Sequence, residues 1–386
     1  MPQKSMEHLR SGTIRVGIPL QHGASHLTPL VPGVINVIER SILFDGVTTV
    51  ATISVSKIAQ RAGVSKSTVS LVLNNRPHVS EATRRRVLQV VEVLRGSGAP
   101  APARTQAPTL LLIHPATFRS GQVFRELLQG LQAGVEEGGG RLSTTVYQMP
   151  LRPEHATHVL LHDRALRPDG VVFMGARRDD PLLEEIRRAE VPYVLVARQL
   201  GGPGAMTVGV DNVSGAREAT AYLIALGHKR IAFLGGDLGF DYTSLRHDGY
   251  EEALRAAGLP GNGLTFFGSG EDSARQFLAA GTRATAVVFV NDEHALHAIP
   301  ILHEHGLRIP EDISVVGFDD IDEVIHHDPP LTAVAVPRAK IGYWAARVLI
   351  ERRRDPDLTF TVILRTRLNI RKSCAPPAEP TSDVSG

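Results

Sequence analysis

Lys66, Ser67, Thr68, Ser70, Leu71 and Asn74 fall in one short stretch, KSTVSLVLN, whose apolar Val69, Val72 and Leu73 recur at helical spacing. Burying that stripe leaves Lys66, Ser67, Ser70, Leu71 and Asn74 pointing more or less outward. A globular core has no use for such a face. Ammonium, hydroxyl and amide groups there can bond to phosphate oxygens or to base edges in a groove. Lys57, Arg61, Arg76, Arg84, Arg85, Arg86 and Arg95 surround the stretch, against Glu81 and Glu92 alone. That local excess suits phosphate contact and counterion release. The plainer reading is a solvated bundle whose basic residues only aid solubility, but capping, turn and charge agree on the first.

The elements that position this face are three short helices. Ser54 can cap a first helix through Ala62, Gly63 supplies a turn at positive φ, and Ser65 caps the second helix. Ser80 caps a third, whose Val87, Val90, Val91 and Leu94 complete a small core. Helix, tight turn, helix is the helix-turn-helix arrangement, with the second helix in a major groove.

Other chemistries find little support. No G-x-S-x-G elbow, P-loop or paired-carboxylate motif is present, so no catalytic residue is expected. FLGGDLG is glycine-rich after a strand but is not G-x-G-x-x-G. His294 and His297 stand three apart, yet no acidic or cysteine partner lies at zinc-site spacing, so no metal and no cofactor are expected. Cys374 is the single cysteine among 386 residues and rules out an internal disulfide. The net charge of +2 makes any nucleic-acid surface local. No apolar run reaches the roughly 18 residues that a membrane span needs, and no signal-like stretch opens the chain, which points to a cytoplasmic protein with no membrane partner.

Beyond the helices, RGSGAPAPARTQAP (95–108) reads as a flexible Gly/Pro/Ala linker. From Thr109 the pattern alternates apolar strands with amphipathic helices: TLLLI (109–113), GVVFMG (170–175), YVLVA (193–197), RIAFLGG (230–236), AVVFV (286–290) and ISVVGF (313–318). Continuous apolar strands between helices imply parallel sheets covered on both faces, and the length implies two α/β subdomains with a crevice at the strand C-termini. The expected division is an unassigned extension (1–50), a helix-turn-helix domain (51–95), the linker (96–108), a two-lobed domain (109–372) and a disordered tail (373–386). Lobe one would hold about 109–209 and 334–358, lobe two about 210–333 and 359–372.

The stretch KIAQRAGVSKSTVSLVLNNRPHVSEATRRRV resembles the DNA-binding headpiece of the LacI/GalR family of transcriptional regulators. LGHKRIAFLGG, LRHDGYEEALRAAGL, NDEHALHAIPILHEHGLRIPEDISVVGFDDI and PPLTAVAVPRAKIG resemble the family's effector-binding domain in content and order. The resemblance covers roughly residues 50–372. It implies an all-α headpiece followed by two Rossmann-like lobes of the periplasmic-binding-protein type I fold. It further implies a repressor, homodimeric or tetrameric, that binds a near-palindromic double-stranded operator and responds to a small effector, most commonly a carbohydrate. The alternative is a sugar receptor of the same two-lobed fold without a regulatory role.

Carried over residue by residue, the resemblance places base reading on Lys66, Ser67 and Leu71 and backbone contacts on Thr68 and Ser70. Ser54, Asn74 and Arg84 complete the DNA set. Leu71 departs from the arginine that the family often carries, which leaves apolar contact, for instance to a thymine methyl, or an ordinary helix position. The effector set is Thr117, Phe118, Phe124, Arg198, Arg246, Asn291 and Asp319. Arg246 offers a guanidinium fork to hydroxyls or a carboxylate; Asn291 and Asp319 close two strands, where a helix cap is the plainer role. Ala197 stands where the family often has an aspartate, so with Arg198 beside it the ligand is either acidic or phosphorylated, or the pocket has degenerated. The linker lacks the family's hinge-helix residues, which predicts a flexible tether. Residues 1–49 match nothing in the family; either translation starts near Val47 or Val50, or the stretch is an accessory extension.

Overall fold

The computed structural model describes residues 37–44, 47–73, 76, 79–96, 107–115, 121–147, 158, 161, 167–197, 205–260 and 264–378. The described residues form two compact units, one of residues 1–105 with 351–361 and the other of 106–350 with 362–386.

In the first unit an antiparallel hairpin, β1 (Val37–Phe44) and β2 (Val47–Ser54), pairs Val37 with Ser54 and Phe44 with Val47. Its residues are rich in β-branched Val, Ile and Thr, which suits a strand. Part of the stretch left unassigned from sequence therefore has regular structure. Three helices follow: Val55–Ala62, Lys66–Leu73 and Glu81–Gly96. Gly63 takes φ +60 between the first two, and Ser65 and Ser80 accept the Thr68 and Thr83 amides at 3.1 and 3.2 Å, the caps expected from sequence. Val55, Ile58, Ala59, Ala62, Val69, Val72, Val87 and Val91 form the core. The third helix runs on through Arg95 and Gly96, assigned above to the linker; residues 97–106, where a hinge helix was not expected, lie outside the described residues. Lys57 pairs with Asp355 (3.1 Å) and Asp357 (2.7 Å).

The second unit contains two sheets. The first, in the order β13-β7-β6-β5-β3-β4, comprises β3 (Thr109–Pro115), β4 (Arg141–Tyr147), β5 (Gly170–Met174), β6 (Tyr193–Val196), β7 (Met206–Val210) and β13 (Thr359–Leu364), with β3 to β7 parallel. The second, in the order β14-β12-β11-β10-β8-β9, comprises β8 (Ile231–Leu234), β9 (Thr265–Phe266), β10 (Ala286–Phe289), β11 (Ser314–Asp319), β12 (Thr332–Ala335) and β14 (Arg367–Asn369), parallel except at β14. Every residue of β5, β6, β8 and β10 is buried, which is why each reads as one apolar run.

The division between lobes differs from the expected one at the C-terminal end. β12, which holds residues 334 and 335, lies in the second sheet, and β13, expected in lobe two, lies in the first. The chain thus crosses between lobes after Val210, after Ala335 and after Leu364. β13 shows why the sequence misled: its burial alternates, so it lacks the continuous apolar run of the central strands.

The expected disordered tail (373–386) is corrected over residues 373–378, while 379–386 lie outside the described residues. Ser373 is buried; its Oγ donates to the Val315 carbonyl (2.6 Å) and accepts the Thr332 amide (2.8 Å). The Ala375 carbonyl receives His228 Nε2 at 2.9 Å, while His228 Nδ1 meets Thr285 Oγ1 at 2.8 Å. A carbonyl only accepts, so Nε2 carries the hydrogen and Nδ1 accepts from the threonine hydroxyl. This neutral ring staples residue 375 to two strands. Burial holds the His228 pKa below its usual 6.5. The unfolded chain therefore takes up a proton there before the folded chain does, and stability falls as pH drops below about 6.5. His228→Gln should cost about 1–3 kcal/mol of stability at pH 7.5 through the lost bonds and so lower Tm there, yet lose less Tm than the wild type between pH 7.5 and 5.5. Differential scanning fluorimetry across that window checks this; parallel pH curves would refute it.

Candidate functional site

The headpiece presents the polar face expected of it. Lys66 and Ser67 are exposed at the start of the second helix, Thr68 and Ser70 are half-buried, and Leu71 is 38% exposed. Ser65 Oγ lies 2.7 Å from Ser67 Oγ and 2.8 Å from Thr68 Oγ1, so three hydroxyls cluster at the amino end of the helix. Arg84 turns inward: it donates to the Val72 carbonyl (3.4 Å) and the Arg76 carbonyl (2.9 Å), tying the third helix to the end of the second. Asn74 and the Ser54 side chain lie outside the described residues.

In the second unit the focus is Arg246, on the helix Asp241–Ala256 that follows β8. Its side chain is 7% exposed and cannot shed its charge, so the surroundings must supply acceptors. Nε donates to Asn212 Oδ1 (2.9 Å), Nη1 to the Val290 carbonyl (2.6 Å) and Nη2 to Asp319 Oδ1 (3.2 Å). The guanidinium carbon lies 3.6 Å from the Phe318 ring centre and 5.0 Å from that of Tyr242. These partners come from the start of the helix Asn212–Ala225 and from the ends of β10 and β11. Three of the five guanidinium N–H groups are engaged, which leaves two for a ligand.

Asn291 stands beside this centre but spends its oxygen locally. Oδ1 accepts the His294 amide (2.9 Å) and meets His294 Nδ1 (2.6 Å), so it caps the helix Asp292–Glu304. Burial pushes the His294 pKa down and keeps that ring neutral. Asp319 keeps φ at 105 and Asp320 at 59, backbone that side-chain-bearing residues rarely adopt. Strain of this kind costs on the order of 1–3 kcal/mol per residue. Arg338 offsets it by donating to the Asp319 carbonyl, while Asn369 and Arg371 hold the Asp320 carboxylate at 2.6 Å each.

Of the other expected effector contacts, Phe124 is half-buried and packs on His114 with ring centres 4.6 Å apart, at the start of the helix Gln122–Glu137. Thr117, Phe118 and Arg198 lie outside the described residues. Ala197 closes β6 at φ 60 with its methyl exposed. The site also uses Asn212, Tyr242, Phe318 and Asp292, which the sequence reading passed over. For Tyr242 a signal existed: it stands four residues before Arg246 on one helix and so shares its face.

The helix-turn-helix and the two-lobed domain with polar groups at its strand ends define the class: a ligand-responsive DNA-binding regulator. Residues 54–95 match the model for bacterial regulatory proteins of the lacI family, and residues 220–374 match the periplasmic binding protein-like domain. The chain is 33% identical over 337 residues to the HTH-type transcriptional regulator CelR of Thermobifida fusca, covering 82% of this chain and 96% of that protein. It is 28% identical to the HTH-type transcriptional repressor PurR of Photobacterium profundum, over 83% and 98% of the two chains. A solved transcriptional regulator CelR–cellobiose complex superposes with a TM-score of 0.64 at 31% identity, over 83% and 99%. This chain belongs to the lacI family of bacterial transcriptional regulators and is itself a DNA-binding regulator of transcription. Its relatives named here are regulators rather than enzymes. No helix among the described residues is long and apolar enough to cross a membrane.

Asp292 makes the electrostatics of this site testable. It is buried, and its Oδ2 accepts the Ile321 amide (3.0 Å) while Oδ1 has no hydrogen-bond partner among the described residues. Burial first, then the Asp319 carboxylate, raise its pKa well above 3.8. A raised carboxyl stabilises the fold most at low pH and loses that contribution as pH rises from about 4 towards the folded value. Asp292→Asn keeps an acceptor for Ile321 and removes the titration. Its Tm relative to wild type should therefore rise between pH 5.0 and 7.5, read by scanning calorimetry; a constant difference would contradict a raised Asp292.

Proposed function

We propose that this regulator is a homodimeric repressor whose affinity for a near-palindromic operator changes when a carbohydrate occupies the cleft. One observation carries the ligand class: the buried Arg246 fork, with Asp319 beside it and Phe318 and Tyr242 on its faces. Paired donors and acceptors against aromatic faces suit vicinal hydroxyls of a sugar, which donate and accept at once and stack their C–H faces on rings. The CelR relative was solved with cellobiose, so that disaccharide is the first probe. Lys66, Ser67 and Leu71 read bases in this proposal, with Thr68 and Ser70 on phosphates. In this proposal Asn291 offers its amide nitrogen, Phe124 contacts the ligand from the other lobe, and Thr117, Phe118 and Arg198 complete the effector set.

Two measurements test it. Cellobiose at about 100 times its dissociation constant should stabilise the wild type by about 2.7 kcal/mol, and Arg246→Met should bind it at least about tenfold more weakly, since charged hydrogen bonds contribute about 1.5–3 kcal/mol each. Maltose and free nucleobases run as competitors; a shift with a nucleobase alone would replace the carbohydrate reading. For DNA, fluorescence anisotropy on a selected operator should show a steep salt dependence, with Lys66→Ala lowering affinity and relaxing specificity at one position while leaving the salt slope unchanged. A slope reduced by about 1 with uniform weakening across sequences would put Lys66 on a phosphate and contradict base reading.

A further inference from the structure

The two lobes of the second unit meet through side chains that the effector reading does not use. The loop after β5, residues 175–180, brings Arg177 and Arg178 from the first lobe. The loop after β8, residues 235–240, and the start of the next helix bring Asp237, Phe240, Asp241 and Ser244 from the second. Arg177 is ion-paired with Asp237. Arg178 Nε reaches Asp241 Oδ1 at 2.6 Å and its Nη2 reaches Ser244 Oγ at 3.0 Å. The Arg178 backbone amide donates to the Gly239 carbonyl at 2.9 Å, a main-chain bond from lobe to lobe. The Asp241 side chain is 1% exposed, so its partner in the other lobe sits on a buried carboxylate and not on a solvated rim.

The same loop carries a stack. Arg177 lies 5.1 Å from the Phe240 ring centre; Phe240 and Tyr242 stack at 5.4 Å with 21° between planes; Tyr242 lies 5.0 Å from the Arg246 guanidinium, and Arg246 lies 3.6 Å from Phe318. Cation, ring, ring, cation and ring thus form one ladder, from the rim of the first lobe to the floor of the second. Burial pushes the Tyr242 phenol up to about 12, with Arg246 opposing, so this rung stays neutral at any physiological pH.

We infer that this ladder is an interlobe clasp, in which Arg177, Phe240 and Tyr242 are positioning residues linking the state of Arg246 to lobe closure. The inference rests on Arg246 being the effector-contacting arginine only for its link to ligand; the clasp itself is made of protein groups. An effector that draws on Arg246 and Asp319 shifts one end of the ladder, and the lobe contact at the other end shifts with it. By linkage, closure changes effector affinity by the same factor as the effector changes closure, so weakening the contact at the rim shifts effector affinity in the direction of the more open state.

Gly239 permits a clean test. A Cβ there would lie 2.2 Å from Arg177 Nη2, 2.6 Å from its Cζ and 3.0 Å from Asp237 Oδ1, so Gly239→Ala crowds the two side chains of this ion pair and no backbone. The readout is amide exchange by mass spectrometry of the peptide covering Gly175–Pro181 in the full chain without effector. Wild type should protect this peptide, and Gly239→Ala should speed its exchange about fivefold, the scale of one partly exposed ion pair. Raising salt from about 0.05 to about 0.5 M should act in the same direction. Tyr242→Leu should speed exchange and Tyr242→Phe should restore it, since the ring and not the hydroxyl forms the rung. Equal exchange in wild type and Gly239→Ala, or in Tyr242→Leu and Tyr242→Phe, overturns the clasp. A protected peptide in a protein that ignores cellobiose would sink the carbohydrate reading and leave the clasp standing; tight cellobiose binding with an unprotected peptide would do the reverse.

Discussion

A guanidinium buried where a helix start meets the ends of two strands is the constraint around which the second lobe is arranged. Arg246 keeps its charge at every pH the protein meets, and removing it from water costs several kcal/mol on the order expected for a buried ion. That cost is bearable only where acceptors are already in place. The fold supplies them from separate elements: Asn212 opens one helix, Val290 ends β10, and Asp319 ends β11. Parallel strands ending side by side deliver such groups to one edge without any contribution from loops of special length.

The centre in turn dictates its neighbours. Asp319 remains useful to Arg246 only at an unusual φ, and that strain persists because Arg338, Asn369 and Arg371 grip the turn from three directions. A second carboxylate stands close by: Asp292 has one oxygen on the Ile321 amide, and burial together with the Asp319 carboxylate raises its pKa. Arg246 and Asp319 thus stand as one cation beside one carboxylate, with Asp292 behind them.

How much of this was legible in the sequence depended on the kind of signal. The strands buried on both faces, such as GVVFM and AVVF, announced themselves as apolar runs, and Ser65, Ser80 and Gly63 marked the headpiece helices through short-range backbone chemistry. β4 and β13 escaped because edge or half-exposed strands alternate instead. The ordering of Ser373 and Ala375 was invisible for another reason. A Pro/Ala/Ser-rich stretch looks disordered by composition, and its anchors, Val315, Thr332 and His228, are distant in sequence. Arg246 and Asp319 could be singled out; that Asn212, Phe318 and Tyr242 complete their surroundings follows from the crossing of chain segments, which local pattern does not encode.

The headpiece obeys a different economy from the lobes. Among the described residues its core contains eight buried residues, five of them valine, and a core of that size removes little area from water. The outward face of the second helix adds nothing to that core, and Leu71 even leaves apolar surface in solvent. Arg84, which from composition alone belonged with the phosphate contacts, spends hydrogen bonds on the carbonyls that end the second helix. A unit this small keeps its reading helix in place by such braces, and anything that binds the folded form alone adds to its stability by mass action. Operator binding and headpiece folding are then two views of one equilibrium. The polar face on Lys66, Ser67 and Ser70 is stabilising only when a partner covers it.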